Sequence, residues 1–177
     1  DGKVLYVGTI PAKNTHGGVI ARIDLEKGEI KSWRNVIPDQ SIMDLVEVPG
    51  GGGLLFGGSC VDGGTGSEPK AKEAAMFLFD PATGKTVWTA SPLPGARAYQ
   101  GSSVTSDGKI MIVGRGEKMY RFYLFDPVKR EIVKDEELPG QYGTWIFAEK
   151  KPVGPDGNNY FLARGALFEY SAKTGKL

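Results

Sequence analysis

Apolar residues occur along this chain in short runs of β-branched and aromatic side chains, each closed within a few positions by glycine, proline or an acidic turn. The runs Val4-Leu5-Tyr6-Val7, Val19-Ile20-Ala21-Arg22-Ile23, Leu54-Leu55-Phe56, Met76-Phe77-Leu78-Phe79, Ile110-Met111-Ile112-Val113, Phe122-Tyr123-Leu124-Phe125 and Tyr160-Phe161-Leu162 predict strands. The longest stretches free of glycine and proline are 11 residues, 70–80 and 128–138, which leaves little room for ordinary helices of about 11–12 residues. Residues 70–75 favour helix by propensity, but barely two turns fit before the run at Met76. The expected class is all-β.

Two anchors recur. The first is a turn entering an apolar run: Asp1-Gly2-Lys3-Val4, Gly51-Gly52-Gly53-Leu54, Asp107-Gly108-Lys109-Ile110 and Asp156-Gly157-Asn158-Asn159. The second is a run leaving into a turn at Asp24, Asp80, Asp126 and Ser171, with steps of 56, 46 and 45 residues. In this turn Asp caps its own backbone, Pro81 and Pro127 preset φ, and Gly84 and Gly175 take positive φ. A period of about 40 to 50 with several short strands per unit indicates β-propeller blades. The approximate repeats are 1–48, 49–105, 106–153 and 154–177.

With strands a to d counted from the axis outward, both anchored turns fall on one rim. The longer b-to-c and d-to-a connections, where function is expected, fall on the other. The chain holds roughly fourteen strands, about three and a half four-stranded blades. The ring is therefore expected to be completed by further blades of a longer chain or by self-association, two copies giving seven four-stranded blades.

The segment Phe77-Leu78-Phe79-Asp80-Pro81-Ala82-Thr83-Gly84-Lys85-Thr86-Val87-Trp88 resembles the tryptophan-docking repeat of quinoprotein-type (PQQ-like) β-propellers. That resemblance implies that the Asp, the Thr-Gly-Lys turn and Trp88 tie neighbouring blades. Repeat one departs from it with Gly28 and a later Trp33, and repeat three has Arg130 and no Trp. Leu54-Leu55-Phe56-Gly57-Gly58 is similar to kelch repeats. True quinoprotein dehydrogenases use calcium held by carboxylates and a vicinal cysteine pair; with Cys60 alone no such pair exists, and no cofactor is expected.

Charge and composition narrow the chemistry further. Twenty-two Lys and Arg against 21 Asp and Glu give +1, so no global field points to nucleic acid. No apolar run approaches a membrane span of about 18 residues. One cysteine and one histidine, His16, rule out Cys/His zinc clusters, and no metal site is expected.

Each d-to-a connection brings a glutamine to the long-loop rim: Gln40, Gln100 and Gln141. With Arg97, Tyr99, Tyr142 and Trp145 they predict an axis mouth of amides, an arginine and aromatic faces, suited to a carbohydrate or other small polar ligand. His16 is read as a solvated loop residue, Cys60 as structural, and residues 62–68 as a flexible lid. Lys150-Lys151 and Asp135-Glu136-Glu137 are read as solvated charges. The expected role is a non-catalytic binding module, secreted or periplasmic. The alternative is part of a carbohydrate-active or quinoprotein-like enzyme with its catalytic residues in missing blades.

Overall fold

The computed structural model describes residues 2–140, 147–148 and 154–177. Among them fourteen strands follow one another without a helix, and residues 70–75 form a bend and coil. Strands β1 (Val4–Gly8), β2 (Val19–Asp24) and β3 (Ile30–Arg34) form sheet I. Sheet II holds β4 (Ser41–Glu47), β5 (Leu55–Cys60), β6 (Met76–Asp80) and β7 (Lys85–Ala90). Sheet III holds β8 (Ala98–Val104), β9 (Ile110–Arg115), β10 (Tyr120–Asp126) and β11 (Glu131–Glu137). Sheet IV holds β12 (Phe147–Ala148), β13 (Asn159–Ala163) and β14 (Ala166–Tyr170). Each is an antiparallel meander, and sheets II and III touch through one bridging pair, Cys60 and Ala98. Among the described residues sheets I and IV have three strands each, and sheets II and III four.

The sheets stack face to face, which explains why the middle strands are apolar at consecutive positions. In β6, Met76 and Leu78 enter the core between sheets II and III, while Phe77 and Phe79 enter the core between sheets I and II. In β10, Tyr123 and Phe125 face sheet II, while Phe122 and Leu124 face sheet IV. Outer strands β7 and β11 instead alternate exposed and half-buried residues, as edge strands do. Glycine in β5 admits the next sheet: a Cβ on Gly58 would strike the Tyr99 carbonyl oxygen on β8.

The repeated turns share one geometry. Asp24 Oδ1 accepts from the Glu26 and Lys27 amides at 3.1 and 3.0 Å, and Asp126 Oδ1 from those of Val128 and Lys129 at 3.0 and 3.1 Å. Asp80 accepts from the Ala82 amide and the Thr83 hydroxyl at 2.9 and 2.8 Å. The Thr83 hydroxyl first, then the Ala82 amide, lowers the Asp80 carboxyl below its ordinary value. The turn residue four positions on is left-handed in all four repeats: Gly28, Gly84, Arg130 and Gly175 have φ of 69°, 70°, 58° and 67°. Registers Val4 to Asp24, Leu55 to Phe79, Ile110 to Phe125 and Asn159 to Tyr170 put both turns of each sheet at the same end.

Tryptophans from the outer strands lock one sheet to the next. Trp88 of β7 packs on Phe125 of sheet III with ring centroids 4.6 Å apart. Trp33 of β3 packs edge-on against Phe79 of sheet II at 5.2 Å. Its indole also covers the Gly84 turn, where an added Cβ would lie 2.7 Å from Trp33 Nε1.

Three substitutions test this. Gly84→Ala meets both a left-handed φ and the indole, and is expected to destabilise by about 1–3 kcal/mol. Arg130→Gly removes left-handed strain at an exposed turn and should be neutral or stabilising, by up to about 1 kcal/mol. Trp88→Ala should cost about 2–4 kcal/mol, below a full core truncation because the ring is half-buried. Urea unfolding followed by circular dichroism checks all three; equal effects of the two turn substitutions would contradict the docking role of Trp33.

Candidate functional site

The long-loop rim collects the b-to-c and d-to-a connections at the opposite ends of the sheets from the Asp turns. Two of its loops clasp each other. The Asn14 amide donates to the Thr65 carbonyl at 3.0 Å and the Gly64 amide to the Thr15 carbonyl at 2.9 Å. His16 Nε2 lies 2.7 Å from the Glu68 carbonyl oxygen, so that nitrogen carries the proton and donates. Residues 62–68, expected as a free lid, are therefore tied to residues 12–16 by backbone bonds. Among the described residues no group of three or more His, Cys, Asp or Glu is placed to hold a metal ion.

The predicted ligand residues divide. Gln40 is buried: its Nε2 donates to the Glu73 carbonyl at 3.1 Å and its Oε1 accepts from the Ser59 hydroxyl. It braces its own sheet. Gln100 lies half-buried inside β8, opposite Val113, rather than in a loop. Tyr99 is not a platform at the mouth. It is the second residue of β8, its ring is fully buried beside Tyr123, and burial raises its hydroxyl pKa. That hydroxyl accepts from the Leu93 amide at 2.9 Å. Gln141, Tyr142 and Trp145 lie outside the described residues.

Tyr99 still shapes the rim, because the loop it pins carries Arg97. The same loop is fastened by Ala74 N–H to the Ala96 carbonyl at 2.8 Å and by Gly95 N–H to Glu73 Oε2 at 3.2 Å. The Arg97 amide donates to the Arg115 carbonyl at 2.7 Å, and its own carbonyl accepts from Val61 at 3.1 Å. Arg97 is thereby held beside the end of β9. Its guanidinium pairs with Asp62, whose other carboxylate oxygen accepts from the Cys60 thiol at 3.2 Å.

Beside this pair opens a cleft of about 500 Å³ lined by Lys72, Gly95, Arg97, Arg115, Gly116, Glu117 and Tyr120. Three cationic side chains and one carboxylate face it. Among the described residues, Arg115 Nε is buried without a hydrogen-bond partner. Arg164 crosses the Tyr120 ring at 5.2 Å, so the adjoining sheet IV also brings a cation to this rim. Sequence reasoning found Arg97 here and missed Arg115, which ends an otherwise apolar core strand, and Lys72.

Cys60 is buried, and desolvation pushes its thiol from 9.0 up to about 11. A neutral, enclosed thiol is a poor nucleophile. The folded chain holds this proton more tightly than the unfolded chain. The thiol therefore contributes stability that is fully present below about pH 9 and lost as pH rises towards about 11. Reaction with a disulfide reagent at pH 8 is expected to be far slower in the native protein than in urea; equal rates would contradict the burial.

No family model matches the chain, and no curated protein matches it by sequence. Solved structures do match it in shape. The Dos1 propeller is 13% identical with a TM-score of 0.61, over 98% of this chain and 43% of that one. The β-propeller domain of the Trilobed protease from Pyrococcus furiosus, of open velcro topology, is 14% identical with a TM-score of 0.53, over 97% and 54%. A gluconolactonase-like protein is 14% identical with a TM-score of 0.55, over 88% and 53%. The chain spans about half the length of these structures. With its stack of antiparallel meanders, free of helices among the described residues, the chain is a partial β-propeller.

Proposed function

We propose that this chain is a binding module whose long-loop rim takes a small polar ligand, such as a glycan, without turning it over. The observation that carries this reading is the cleft between the Arg97 loop and the end of β9. Its volume of about 500 Å³ falls in the range of about 300–1,000 Å³ typical of small-molecule sites. Its walls present guanidinium, ammonium and carboxylate groups on backbone held by many hydrogen bonds, so little ordering is needed on binding. Kinship with quinoprotein-type repeats is supported by Trp33 on the Gly84 turn and by Trp88 on Phe125.

Completion of the ring by further blades is supported by the apolar side chains exposed on the end sheets and their loops. Leu5, Ile10, Leu25 and Ile30 at one end, and Leu162 and Leu167 at the other, are between 47% and 69% exposed.

The test is titration of isotope-labelled protein with a panel of monosaccharides and disaccharides, followed by amide shifts. Shifts are expected at Leu93, Gly95, Ala96 and Arg97 and at Arg115, Gly116 and Glu117. Arg97→Ala should weaken binding about 10-fold or more while changing stability by no more than about 1 kcal/mol, since its ion pair is half-exposed. Shifts confined to the rim of the Asp turns, or none with folded protein, would overturn the reading.

A further inference from the structure

The lining of this cleft narrows the ligand class, on the reading that the cleft is the binding site. Arg97 already has a carboxylate partner in Asp62. Arg115 and Lys72 have none: no ion pair or hydrogen bond joins either side chain to the described residues. The Nε–H of Arg115 is moreover shut away from water with no acceptor among the described residues, and a stranded donor on a charged group costs free energy. The guanidinium is only partly covered, so a carboxylate in the cleft that drew it outward would satisfy Nε and Nη with two parallel bonds.

Glu117 completes the lining. A carboxylate at the same site repels a bare multivalent anion, yet it is a good acceptor for hydroxyl groups. The volume is also many times that of a single ion. Two uncompensated cations beside one hydroxyl acceptor match a molecule that carries one acid group and several hydroxyls.

We infer that the cleft binds an acidic saccharide of the uronic acid class, its carboxylate held by Arg115 and Lys72 and its hydroxyls by Glu117. The pinned loop of Arg97 forms the fixed wall against which it sits. Arg97 keeps Asp62 as its partner, so the acid group does not have to break an existing ion pair to bind.

The experiment is calorimetry of the whole chain with galacturonate and glucuronate against galactose and glucose at low salt, with sulfate as competitor. The uronates are expected to bind about 10-fold or more tightly than their neutral counterparts, and less tightly as salt screens the site. Arg115→Gln and, separately, the exposed Lys72→Gln should each remove most of that preference, with thermal unfolding confirming that both variants fold.

Equal binding of neutral and acidic sugars would overturn the acid-group inference while leaving the binding module in place. Displacement of the uronate by equimolar sulfate would show a plain anion site and overturn the saccharide class. Absence of binding by every sugar to folded protein would remove both readings.

Discussion

The structure depends on one constraint: the central strands of sheets II and III each serve two cores at once. Because successive side chains of a strand point to opposite faces, the run Met76-Phe77-Leu78-Phe79 divides its residues between the layer below and the layer above. The runs at Ile110 and Phe122 do the same one sheet further on. A one-residue slip would exchange the two sets, placing Phe77 where Leu78 fits and leaving voids in one layer and crowding in the other. Register is therefore fixed from both sides. The irregularities come in matched pairs: between Leu78 and Phe79 and between Leu124 and Phe125, where β6 and β10 lead into the Asp turn, and between Ile42 and Asp44 and between Gln100 and Ser103 in the innermost strands β4 and β8.

The turns and the tryptophans convert that register into spacing between sheets. A left-handed residue at the fifth position of the turn brings the outer strand back along its neighbour, and the indole it carries reaches across to the next sheet. Where glycine is present, as at Gly84, the indole closes directly over the turn. Where Arg130 replaces it, Trp88 is held by the Phe125 ring instead. On the opposite rim the same rigidity serves another purpose. Tyr99, fixed between layers, reaches its hydroxyl to Leu93 and so sets the height of the loop that presents Arg97.

The central strands were legible in the sequence because burial on both faces makes them apolar throughout, and the Asp turns because their φ values and caps demand particular residues. Fourteen strands could be counted, but not that each end sheet would have three. Edge strands such as β3, with exposed Ile30, Lys31 and Ser32, bury too little to leave a pattern. The site was less legible for a physical reason. An aromatic residue after a loop reads equally as a rim platform or as the first inward residue of a strand, and Tyr99 is the latter. A glutamine repeated at equivalent places suggests a ring of ligands, yet Gln40 is consumed by Ser59 and Glu73 of its own sheet. Arg115 follows five buried residues, so only the spatial return of residues 93–97 shows that its side chain lines a cleft.

Three cores between four sheets also make cohesion in this molecule linear. Sheets II and III are each gripped on two faces, sheets I and IV on one, and each sheet's apolar packing is with its neighbours in sequence. Sheet II or sheet III can open only by giving up apolar packing on both faces, so the layer between them is the hardest to lose. The Arg97 and Arg115 walls of the cleft both arise at that middle junction, from the connection between sheets II and III and the end of β9. The cleft thus rests on the two sheets that are packed on both faces, and its walls take their geometry from the most protected layer of the described fold.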